Sequence, residues 1–81
     1  MRGEEPQGSL ALIEIGNLTP ALLVVDRCAK AAGVHVLGVE STDGAEQCIK
    51  LVGSLADVQA AAEAGVALAE LMGSKALFSV M

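Results

Sequence analysis

The chain has 81 residues, 53% of them hydrophobic with one aromatic (Phe78), and its ten acids against five bases give a formal charge of −5. A single domain of this size buries only about 60% of its unfolded surface, so its apolar content invites burial against further copies as readily as within an ordinary Ala/Val-rich core. The bases Arg2, Arg27, Lys30, Lys50 and Lys75 are scattered without interleaved aromatics and no apolar stretch approaches the ~18–20 residues of a membrane span, which argues against nucleic-acid and membrane partners.

Residues 1–8 are polar, with Glu4, Glu5 and Pro6, carry no secretory pattern, and read as a short flexible tail before a domain over residues 9–81. Residues 10–15 are apolar on both faces except at Glu14, as a central strand should be. Gly16 and Asn17 end it. Thr19 offers a capping hydroxyl and Pro20 suits a first helical position, which predicts a helix over residues 20–32. Its inward side is expected to hold Leu18, Leu22, Val25, Ala29 and Ala32, with Gly33 as C-terminal cap. Residues 34–40 are rich in Val and Leu and read as a strand. Thr42, Asp43 and Gly44 form a hairpin turn signal, and a return strand covers residues 48–52, starting one to three residues earlier.

Gly53 breaks that strand and Ser54 caps a second helix over residues 55–72, with Asp57 three positions on. Leu55, Val58, Ala62, Gly65, Ala69 and Met72 fall at helical spacing. Gly65 in mid-helix costs about 1 kcal/mol relative to Ala, a cost that close approach of another element should offset. Gly73 ends the helix and residues 76–80 supply a last strand. The order β-α-β-β-α-β predicts an α+β, ferredoxin-like sandwich, with a four-stranded antiparallel sheet carrying both helices on one face. That layout serves many functions.

Several stretches resemble one family. Ser9-Leu-Ala-Leu-Ile-Glu-Ile is similar to the opening strand of bacterial microcompartment shell proteins, the BMC-domain family, which reads Ala-Leu-Gly-Leu-Ile-Glu. Leu18-Thr19-Pro20-Ala21 resembles the start of the family's first helix, and Asp26 with Lys30-Ala31-Ala32-Gly33-Val34 resembles its Ala-Asp-…-Lys-Ala-Ala-Asn-Val segment. Val36-Leu37-Gly38-Val39-Glu40 is similar to Leu-Val-Gly-Tyr-Glu. Residues 52–58 match the Arg-Gly-Asp-…-Val turn, and Glu63-Ala64-Gly65 falls in the Ala-rich second helix. The matches run ungapped over residues 9–80.

The resemblance implies a non-enzymatic shell tile of the bacterial cytoplasm. Six copies would form a hexagonal tile that joins edge to edge with other shell proteins around enclosed enzymes, with no cofactor. The loop Ser41, Thr42, Asp43, Gly44 and Ala45 would surround a central pore for small metabolites, and Lys30 would lie at the tile edge. Two departures stand out. The usual pore loop reads Lys-Ile-Gly-Ser-Gly, whereas here Ser41 replaces Lys and carboxylates occur at Asp43, Glu40 and Glu46. Sixfold repetition of such charge would disfavour anions and admit neutral or cationic molecules; the alternative reading is that Asp43 only stabilises the turn through its own backbone. The family's Pro-Arg-Pro continuation, which supplies an edge arginine, has no counterpart after Val80, a departure that bears on sheet assembly.

No residues assemble a catalytic or metal site. The only His, His35, sits in no nucleophile or ligand motif and reads as structural, as does Glu14, expected to be a hydrogen-bonded carboxylate. Cys28 and Cys48 lack Cys or His partners at metal spacing and read as buried structural thiols. Two rival readings stand beside the shell tile: a small ligand-binding regulatory module of the same fold, with its effector near residues 16–19, and one half of a tandem pseudohexameric shell protein.

Overall fold

A period of two along the first strand puts Ala11, Ile13 and Ile15 under the helices, almost completely buried, and turns Leu10, Leu12 and Glu14 to the opposite face. The computed structural model describes residues 8–31, 33–41 and 46–81. Its elements are β1 (Ser9–Ile15), α1 (Leu18–Ala29), β2 (Val34–Ser41), β3 (Gln47–Gly53), α2 (Leu55–Leu71) and β4 (Ala76–Val80). The sheet order is β2-β3-β1-β4, antiparallel throughout, so β1 is central as its apolar character predicts. This is the expected ferredoxin-like sandwich.

In-register partners continue both faces. Ile49 and Leu51 of β3 lie beside Ile13 and Ala11 in the core, while Cys48 and Lys50 lie beside Glu14 and Leu12 on the uncovered face. Between Val36 and Gly38 the β2–β3 register slips, a bulge that leaves Leu37 mostly exposed.

α1 differs from expectation at both ends and in its inward face. Asn17, in extended conformation, is the N-terminal boundary, and Ala21 donates to its carbonyl at 3.2 Å. Thr19 therefore lies inside the first turn rather than capping it. Pro20 moves to the third helical position, where its missing N–H still breaks no intrahelical bond. The helix stops at Ala29, with Lys30 as C-cap, and Ala32 lies outside the described residues. The buried stripe is Pro20, Ala21, Val24 and Cys28; Leu18 and Leu22, expected inside, are 54% and 57% exposed. The narrow space against α2 admits the small side chains and leaves the leucines outside.

α2 follows its predicted pattern: Val58, Ala62, Gly65 and Ala69 are buried, joined by Ala61, while Leu55 and Met72 at its ends are exposed. Ser54 Oγ accepts from the Asp57 N–H at 3.2 Å, as the spacing implies. At the other end Gly73, φ +81°, donates to Glu70 O, and Ser74 donates to Ala69 O, a Schellman closure that favours glycine.

Candidate functional site

Two regions carry the residues singled out in the sequence. At the β2–β3 end Ser41 and Gln47 are the last paired residues before the loop. Ser41 donates its hydroxyl to Gln47 Oε1 at 3.1 Å, and the Gln47 side chain is buried. A buried amide left without partners costs about 1–3 kcal/mol, so this contact helps fix where the loop leaves the sheet. Thr42, Asp43, Gly44 and Ala45 lie outside the described residues.

The charge near that end is less one-sided than composition implies. Lys50 Nζ lies 3.0 Å from Glu40 Oε2 on the uncovered sheet face, so Glu40 carries a counterion. Glu40, Cys48 and Glu14 form one row across β2, β3 and β1. Burial pushes the Cys48 thiol up from its ordinary value, and the neighbouring Glu14 carboxylate adds to the rise. The Glu14 side chain is exposed and its carboxylate makes no hydrogen bond among the described residues, which corrects the expectation of a bonded structural carboxylate.

Lys30 lies at the end of α1, exposed, with its Nζ 2.9 Å from Asp26 Oδ2 one turn earlier. A surface pair of this kind contributes at most about 0.5 kcal/mol to the fold. Beside it a groove of about 320 Å³ runs between the helices, lined by Arg27, Lys30 and Ala31 from the α1 end and Asp57, Ala60, Ala61 and Ala64 from α2. Arg27 was unremarkable in the sequence, and Asp57 read only as part of a cap; their meeting in one groove depends on how the helices pack.

Cys28 is buried in the core, its Sγ 3.8 Å from Ala61 O, whereas Cys48 is only half-buried. His35 is exposed on β2 opposite Val52, on the uncovered face and across the sheet from Cys28. Among the described residues no group of His, Cys, Asp and Glu could hold a metal ion. None of their helices is long and apolar enough to cross a membrane.

Exposed apolar side chains occur on two sides. Leu18, Leu22 and Leu23 of α1 and Leu71 of α2 belong to the helical layer, and Leu77 extends the uncovered sheet face opposite Glu14. Gly65 against Val24 and Ala61 against Cys28 show that the helices run antiparallel, so Leu18 and Leu71 share one end of the layer.

The model of the BMC domain matches residues 9–81. The bacterial microcompartment shell protein PduK of Citrobacter freundii is 41% identical over 63 residues, covering 76% of this chain and 40% of that protein. The protein of the same name from Salmonella typhimurium is 40% identical over 63 residues, with 76% and 39% covered. The chain thus spans about two fifths of the length of these curated relatives. A crystal structure of a microcompartments protein from Desulfitobacterium hafniense superposes with a TM-score of 0.82 over 94% of this chain and 41% of its own; at 22% identity it supports the fold alone.

Proposed function

The chain belongs to the BMC-domain family, and from that premise we propose that it is a structural shell protein of a bacterial microcompartment. In this reading six copies close into a tile in the bacterial cytoplasm. The Ser41, Thr42, Asp43, Gly44 and Ala45 loops surround a pore for small metabolites, and Lys30 lies at the tile edge where further shell proteins join. The protein works by assembling and enclosing enzymes, with no catalysis or cofactor of its own.

The observation that carries this reading is the placement of exposed leucines on two different sides of the sandwich, Leu18, Leu22 and Leu71 on the helical layer and Leu77 on the sheet. One self-complementary patch would favour a two-fold dimer. Exposed leucines on two unlike faces favour head-to-tail contacts, which close into a ring when the rotation allows. The family match also favours the shell tile over a regulatory module. Native mass measurement tests it: a species of six chains is expected, and a monomer or dimer as the largest species would overturn it.

A further inference from the structure

We propose that the α1–α2 groove is a two-fold contact between copies of this chain, in which Arg27 of each copy pairs with Asp57 of the other. The inference rests on the reading of Lys30 as a tile-edge residue and assigns two further residues to that edge.

Arg27 and Asp57 are exposed on opposite walls of the groove, and among the described residues neither side chain has an ion-pair partner. Asp57 uses its backbone N–H in the cap of α2, which leaves the carboxylate uncommitted, and that carboxylate lies over Gly33, where a Cβ would collide with it. The floor between them is Ala31, Ala60, Ala61 and Ala64, with no long side chain to obstruct an incoming group. An arginine fits such a place: its methylene stem covers apolar floor while its planar fork meets a carboxylate in two hydrogen bonds.

Charge argues for a second copy as the occupant. The chain as a whole carries −5, so most of its surface repels another copy. This surface is balanced, with Arg27 and Lys30 against Asp26 and Asp57. The Lys30–Asp26 pair at 2.9 Å also gives Lys30 a counterion within its own chain. In an isologous contact each match occurs twice, so one Arg27–Asp57 complement contributes two pairs per edge.

Charge reversal reads the pair directly. Arg27→Glu and Asp57→Arg should each raise the concentration at which tiles associate, followed by sedimentation and electron microscopy, by about tenfold or more, because like charges then face each other. Arg27→Glu combined with Asp57→Arg should recover association to within about threefold of wild type. Native mass should show the six-chain species in every variant, and thermal unfolding of each should exclude loss of the α2 cap as the cause. Failure of the double reversal to recover association would overturn the pairing. Unaffected single variants would overturn it too; if Lys30→Glu still breaks the sheets, the edge reading survives that result. Wild-type tiles that never associate would overturn both.

Discussion

Gly65 of α2 lies against Val24 of α1: a Cβ built on Gly65 would stand 2.8 Å from Val24 Cγ1, with Ile13 Cδ1 at 3.4 Å and Cys28 Sγ at 3.5 Å. This close approach is the compensation that a glycine in mid-helix calls for. Gly65→Ala gains about 1 kcal/mol of helix propensity. It also forces a methyl onto a β-branched neighbour with little rotamer freedom, at an overpacking cost of about 1–3 kcal/mol. The balance is expected to be destabilising by about 1 kcal/mol. Denaturant unfolding at fixed protein concentration checks this, and Val24→Ala in the Gly65→Ala background should return part of the loss. A more stable Gly65→Ala variant would show that the helices can separate freely.

Ser54 is a simpler case. Its Oγ accepts from the Asp57 N–H at 3.2 Å and is the only side-chain cap seen on either helix among the described residues. Ser54→Ala should cost about 1 kcal/mol, and Ser54→Asp should retain most of it. Thermal melts of the three proteins at one concentration separate these outcomes, with about 4–8 °C expected for each kcal/mol.

How far such features were legible in the sequence depends on how local their causes are. The Ser54 cap and the Gly73 closure arise within a few residues, and their positions follow from spacing, whereas β1 reads as apolar on both faces and only the placement of the helices makes Ala11, Ile13 and Ile15 its buried side. Gly65 was legible as an anomaly, because a helical glycine needs a neighbour. The inward face of α1 was not, since Leu22 and Val24 are equally apolar and only the width left beside Gly65 decides between them. Leu37 reached solvent through a bulge that Val-rich alternation does not announce. The Ser41–Gln47 contact needed the hairpin register, and Arg27 with Asp57 needed two helices to meet.

The thiols give a pH dependence with a definite sign. Burial pushes Cys28 above its ordinary 9.0, partly offset by Arg27, and Cys48 is also raised. Their thiol forms are therefore favoured by folding. The associated stability is fully present below about pH 9 and is lost as pH rises from there through the folded values. Unfolding free energy measured from pH 8 to 10.5 should fall, and the fall should shrink in Cys48→Ala. At pH 7.5 an alkylating reagent should spare Cys28 in the native protein and modify it readily after unfolding, because it is buried as well as protonated.

If the β2–β3 loops line a pore, Asp43 repeated around the ring should set its charge preference, since Glu40 is already paired with Lys50 at 3.0 Å. Reconstituted shells should admit a neutral solute faster than an anion of equal size. Asp43→Lys should raise anion uptake by about tenfold while leaving the neutral solute unchanged. Equal uptake of the two solutes by wild-type shells would remove charge selection from the reading.

The leucines offer the most direct test of assembly. Leu71 is 84% exposed and Leu22 57%, so neither holds the single chain together. Substituting either with a charged residue should change monomer stability by less than about 0.5 kcal/mol, the usual range for exposed positions. In an oligomer the same leucines would be buried, and a charge placed there without a partner would cost several kcal/mol per interface. If six chains form the ring, Leu22→Glu and Leu71→Glu should therefore shift its native mass to smaller species while circular dichroism remains that of the folded protein. Persistence of intact rings in both variants would place the subunit contacts elsewhere. The exposed sheet residue Leu77 would then be the next to substitute, because it lies on the opposite side of the sandwich and the two faces need not contribute equally.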